Sequence, residues 1–114
     1  MKLPLQVDVI VIHKFDDGYK YLMMRRTEDR GGFWQPVTGG VEDGESIKDA
    51  AIREVFEEAG YEKDEIVELI DLDYSFQFKL RNKDWWITEY VFGAEVSHPN
   101  FIRLPREHSE VVWC

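Results

Sequence analysis

Three glutamates, Glu54, Glu57 and Glu58, crowd into one short stretch, Arg53-Glu54-Val55-Phe56-Glu57-Glu58. On a helix, at 100° per residue, they fall within one arc of roughly 100°, with Arg53 just beside Glu57. Each like-charge pair at i,i+3 or i,i+4 costs about 0.2–0.5 kcal/mol. Carboxylates gathered against that cost suit a hard divalent cation, which takes oxygen ligands.

The element that positions them reads as an amphipathic helix from Ser46 to Ala59. Ile47, Ala50, Ala51, Ile52, Val55, Phe56 and Ala59 recur at spacings of three and four and form one broad apolar face. Ser46 is placed to cap the N-terminus, with Asp49 three residues on, and Gly60 stands where a left-handed residue closes the C-terminus.

Around this helix, Gly39, Glu45, Arg53-Glu54-Val55, Glu57-Glu58 and Gly60 follow the pattern glycine-x5-E-x7-R-E-U-x-E-E-x-G-U, where U is a bulky aliphatic residue. That pattern is the Nudix box, and the chain resembles the Nudix hydrolases on it. The one departure is the aromatic Tyr61 at the final U, a packing position. The resemblance implies an α/β/α sandwich around a mixed sheet, built as a single domain over residues 1–114. It implies attack of water on phosphorus in a nucleoside diphosphate linked to another group, with Mg²⁺ as cofactor and Mn²⁺ able to substitute. By position, Glu54, Glu57 and Glu58 become metal ligands together with the backbone carbonyl of Gly39. Glu45 and Arg53 become a supporting pair that orients a catalytic glutamate. Gly39, Gly40 and Gly44 let the loop bend close to the metal.

Outside the box two readings stand at each position. Arg26 follows the second strand, where family members often carry an arginine that meets a phosphate; a solvated surface arginine is the alternative. Glu107 precedes Trp113 as a similar acidic residue does in many Nudix enzymes, where it adds a metal ligand or the general base; Glu110 is a second candidate, and plain surface charge is the alternative for both. Trp34 either packs in the core and anchors its loop or lines the substrate pocket and stacks on a ring. Trp85 and Trp86, adjacent on a strand, point to opposite faces, so that one reaches the pocket while the other enters the core. His13 and His108 have no partner cluster, and His98, in a loop, is assigned nothing.

The rest of the chain supplies strands. Leu5 to Phe15 and Tyr19 to Arg25 form a hairpin about Asp16-Asp17-Gly18, and Phe33 to Val37 is a short extended piece. Glu65 to Arg81 and Asp84 to Val96 form an antiparallel pair in which Tyr74, Phe76 and Phe78 alternate. Val111 to Trp113 is a last strand. The usual family domain continues into a further helix after this point, and a missing layer would leave one sheet face open, with reduced stability or self-association as a homodimer.

With 114 residues and a net charge of −9, neither a polymeric nucleic acid nor an anionic membrane is an expected partner. Cys114 is the single cysteine, so no internal disulfide forms and a cytoplasmic location is expected. Asp8 breaks the apolar run after the opening Met-Lys-Leu-Pro-Leu, so neither a secretory leader nor a membrane span is read there. The run Phe33-Trp34-Gln35-Pro36-Val37-Thr38-Gly39-Gly40 most resembles the dihydroneopterin triphosphate and dATP pyrophosphatase branch, which implies a nucleoside or pterin triphosphate as substrate. The alternatives are a dinucleoside polyphosphate or RNA 5′-end pyrophosphohydrolase, or a nucleotide-binding Nudix module without catalysis; such modules usually lose box glutamates, and here all are present.

Overall fold

The organising strand is β1 (Lys2–Phe15), which hydrogen-bonds three others. The computed structural model describes residues 2–79, 85–100 and 108–114. After β1 come β2 (Gly18–Arg26), β3 (Trp34–Gln35), β4 (Val37–Glu42), α1 (Ile47–Ala59), β5 (Ile66–Lys79), β6 (Trp86–Val96) and β7 (His108–Trp113). Along one edge β1 pairs antiparallel with β4, from Lys2 to Val9, and then with β2, from Ile12 to Phe15. Along the other it runs parallel to β6, from Leu5 to Ile12. β5 closes that side antiparallel to β6, while β3 and β7 both pair with β2. The result is a mixed seven-stranded sheet, as expected for the α/β/α sandwich, and among the described residues α1 is its one α-helix.

Alternation along β1 decides where the core lies. Val7, Val9 and Val11 are fully buried, with Val37 and Val41 of β4 and Phe92, Ala94 and Val96 of β6, against Ala50, Ala51, Val55 and Ala59 of α1. Small alanines bring the helix close to the sheet, and each buried valine contributes about 1.5–3 kcal/mol. Ser46 Oγ accepts from the Asp49 backbone N–H at 3.1 Å, and Gly60 closes the helix at φ 82°. Tyr61, at the aliphatic position of the box, is also buried and donates its hydroxyl to the His98 carbonyl at 3.0 Å. Burial, and then the nearby Glu65 charge, pushes its phenol up to about 12.

The opposite face of the sheet carries two carboxyls that the apolar pattern does not suggest. Asp8 on β1 and Glu89 on β6 share a hydrogen bond, and Glu89 is 8% exposed. Burial pushes both carboxyls up, and the charge of Asp8 helps to raise Glu89 to about 7. A carboxyl raised in the folded state holds a proton that the unfolded chain has already lost. Stability from this pair is therefore present below about pH 5 and is lost as pH rises through 7. Urea unfolding at pH 5 and pH 8 should show a fall of roughly 1–3 kcal/mol, and Glu89→Gln should remove most of it. Parallel pH profiles for the two proteins would contradict the pairing.

Candidate active site

The loop from β4 into α1 is held by one side chain, Arg53. Its Nε donates to Glu45 Oε2 at 2.8 Å and its Nη2 to Glu45 Oε1 at 3.0 Å, a two-pronged contact. The same Nη2 reaches the Gly40 carbonyl at 2.8 Å. Its Nη1 donates to both oxygens of Glu57 at 3.1 Å and lies 3.5 Å from Glu54. Glu45 in turn accepts the Glu42 backbone N–H at 3.0 Å. A planar fork with five donors can meet these acceptors at once, whereas an ammonium cannot. The Arg53 guanidinium holds the Glu45 carboxyl below its usual range, and Glu45 first, then Glu57, holds Arg53 in its charged form.

Glu54 and Glu58, one turn apart, are 7% and 8% exposed and border the apolar face of α1, while Glu57 stands out toward solvent. Gly39 sits directly under Glu54, and a Cβ there would overlap the Glu54 carboxylate. Any side chain there would have to displace the Glu54 carboxylate from its place. The three glutamates share the helix without closing up: among the described residues no three Asp, Glu, His or Cys side chains converge on a common metal position. In kind, the donors fit a hard cation: buried carboxylate oxygens, with a glycine backbone pressed against one of them.

A family model for the NUDIX domain matches residues 4–114. The chain belongs to the Nudix family. A protein of Myxococcus xanthus named octanoyltransferase is 37% identical over 109 residues, which are 94% of this chain but 29% of that protein. The dihydroneopterin triphosphate diphosphatase of Escherichia coli is 39% identical over 75 residues, covering 65% of this chain and 49% of the relative. The chain thus spans half or less of the length of these relatives. The solved structure of the E. coli dihydroneopterin triphosphate pyrophosphohydrolase superposes with a TM-score of 0.80 at 30% identity, covering 98% of this chain and 80% of the other.

Within this Nudix domain the residues outside the box fall into place unevenly. Arg26 ends β2 with its guanidinium 5.6 Å from the centre of the Phe33 ring, and its buried Nε meets no hydrogen-bond acceptor. Trp34 on β3 is 41% exposed, so the core-anchor reading gives way: a two-residue strand on the sheet margin offers no interior to fill. Trp85 and Trp86 are exposed as well, and neither enters the core, because both lie at the outer end of the β5–β6 pair. Glu107 lies outside the described residues. Glu110 is tied to Arg25 at 3.1 Å.

That Arg25 escaped the sequence reading. Its Nε donates to the Gly32 carbonyl at 3.0 Å and its Nη2 to Glu28 at 2.6 Å, so that with Glu110 it ties the 27–33 loop to β2 and β7. The one sequence signal was an acidic residue three positions on. His98, assigned nothing from the sequence, has a partner in Glu65. Its Nδ1 accepts the Asn100 N–H, which leaves Nε2 to donate to Glu65 at 2.6 Å. This contact joins the turn after α1 to the end of β6. No described helix is long and apolar enough to cross a membrane.

Proposed function

We propose that the chain, as one domain over residues 1–114, is a Mg²⁺-dependent pyrophosphohydrolase that cleaves a nucleoside or pterin triphosphate to the monophosphate and pyrophosphate. The observation that carries this reading is the Arg53 fork, which fixes Glu45, Glu57 and the Gly40 carbonyl together beside Glu54 and Gly39. Glu54, Glu57 and Glu58, with the Gly39 carbonyl, would hold the metal. Bound Mg²⁺ supplies neutralisation of the phosphate oxygens and orients the phosphate chain, with Mn²⁺ able to replace it.

The chain's own groups do the rest. Arg53 aims the Glu57 carboxylate through its two-oxygen contact, and Glu45 keeps Arg53 in place. Arg26, with unused donor capacity at the end of β2, meets a phosphate. Trp34, exposed on β3, offers an aromatic plane to a single ring, an interaction of about 1–3 kcal/mol by analogy with base stacking. Water attacks the α-phosphorus, the bond to the α–β bridging oxygen breaks, and pyrophosphate leaves in one piece. A net charge of −9 provides no basic track for a polymer. The similarity to the E. coli dihydroneopterin triphosphate diphosphatase supports the same substrate class.

Product analysis tests the proposal. With Mg²⁺ and a panel of dihydroneopterin triphosphate, dATP and other nucleoside triphosphates, a monophosphate and pyrophosphate are expected by chromatography, with no turnover in EDTA. Release of inorganic phosphate, or faster cleavage of a dinucleoside tetraphosphate or a 5′-triphosphate RNA, would overturn the substrate and leave the family standing.

A further inference from the structure

We propose that Arg25 is a positioning residue of the substrate site: by clamping the 27–33 loop it fixes Phe33, and through Phe33 it sets the guanidinium of Arg26 for a phosphate. The inference rests on the reading of Arg26 as a phosphate contact. The two neighbouring arginines are used in opposite ways. Arg25 commits all three of its nitrogens to the protein: Nε to the Gly32 carbonyl at 3.0 Å, Nη1 to Glu110 at 3.1 Å and Nη2 to Glu28 at 2.6 Å. The two carboxylates beside it also repel a phosphate, so Arg25 is not itself the anion's ligand. Arg26, in contrast, has a buried Nε that meets no acceptor among the described residues.

Contacts run from one arginine to the other. The Gly32 carbonyl that Arg25 holds belongs to the peptide group leading into Phe33. The Phe33 carbonyl accepts the Arg26 backbone N–H at 2.9 Å, and the centre of the Phe33 ring lies 5.6 Å from the Arg26 guanidinium carbon. Gly31 and Gly32 take φ 110° and 67°, where side chains other than glycine's are rarely at ease. The room they leave is used. The Phe33 ring comes within 2.8 Å of where a Cβ on Gly31 would stand, and the Glu28 carboxylate within 3.0 Å of one on Gly32. A loop turned by two glycines has little stiffness of its own, and the three-way clamp supplies it. Strand register sets Glu110 of β7 opposite Arg25 of β2, so the third prong ties the loop to the sheet. On this assignment Glu110 anchors the loop. The clamping pairs are open to solvent, with side-chain exposures of 83% for Glu28 and 56% for Glu110. They therefore add little to global stability, and what they fix is local geometry.

Kinetics and hydrogen exchange on the same full-length variants test this. Arg25→Ala should raise KM for the triphosphate about tenfold and leave kcat within about twofold, the pattern of binding lost equally in ground and transition states. Amide exchange across residues 27–34 should quicken about tenfold while the 47–59 helix is unchanged. Arg25→Lys should recover little, since one ammonium cannot meet three acceptors spread around a planar fork. Glu28→Ala and Glu110→Ala, each removing one prong of the clamp, should give weaker versions of both changes. In an Arg26→Ala background, Arg25→Ala should add little to KM, because Arg25 acts through Arg26. Unchanged loop exchange in Arg25→Ala, a loosened loop with unaltered KM, a fall in kcat alone, or effects of Arg25→Ala and Arg26→Ala that simply add would overturn the assignment. A wild-type protein that turns over no triphosphate would sink the functional reading, while quickened loop exchange in Arg25→Ala would still support the clamp.

Discussion

Glu58→Gln is expected to lower kcat by a hundredfold or more, roughly 3 kcal/mol of transition-state stabilisation, with the fold intact. Glu58 is a buried carboxylate one turn from another, Glu54, and losing its charge relieves repulsion of about 0.2–0.5 kcal/mol at i,i+4. The melting temperature should therefore hold or rise slightly while turnover collapses. Glu57→Gln should reduce kcat to a similar extent. Glu57 is 46% exposed by its side chain and contacts Arg53, so its replacement also leaves the core untouched. Steady-state kinetics at saturating Mg²⁺, beside thermal melts, separate the two effects. Near wild-type turnover in either variant would mean that the acidic helix does not hold the metal.

Arg53→Ala should injure both the fold and the reaction. The side chains of Arg53 and Glu45 are 27% and 16% exposed, so removal strands a largely buried carboxylate and the Gly40 carbonyl. A loss of about 2–3 kcal/mol in urea unfolding is the expected size for a partly buried pair cut on one side. In the kinetics kcat should fall far more than KM rises, because the group aims a carboxylate and does not grip substrate. Arg53→Lys should rescue little, since one ammonium cannot reproduce contacts that use Nε, Nη1 and Nη2 together. An Arg53→Ala enzyme whose only defect was a raised KM would instead make Arg53 a phosphate ligand.

The helix and its fixed residues were legible in the sequence because both depend on local spacing. The apolar positions from Ile47 to Ala59, the Ser46 cap and the Gly60 stop need nothing beyond the chain within one turn. The antiparallel partnership of β5 and β6 was legible from the alternation of Tyr74, Phe76 and Phe78 on one and of Trp86, Thr88 and Tyr90 on the other. What depends on distant partners was not. Val37–Glu42 reads as a glycine loop until β1 supplies it with hydrogen bonds, which makes it β4. Glu54 and Glu58 were placed on a charged helix face, yet both are nearly buried, and β4 packs at Gly39 directly against Glu54. Asp8 was visible as a charge within an apolar strand, but its partner is Glu89 on a strand far along the chain. Trp34 shows the converse error: a large aromatic residue beside a core strand invites burial, and the margin of the sheet leaves it exposed.

The parallel pairing of β1 with β6 has a consequence for the order in which the molecule can be made. The His13 side chain reaches the Val96 carbonyl across 83 residues of chain, and the strand on which it stands is the middle of the sheet. During synthesis β1 precedes β2 and β4 and can meet them in turn, but its other edge must wait until β6 has left the ribosome. Until then, a strand rich in valine and isoleucine has one side open, a period in which such edges recruit other chains. Closing so long a loop before any reward makes the last step slow. Folding of the newly made chain should therefore be sensitive to crowding of nascent copies until β6 is in place, whereas the folded domain, with β1 sealed on both edges, carries no trace of that exposure.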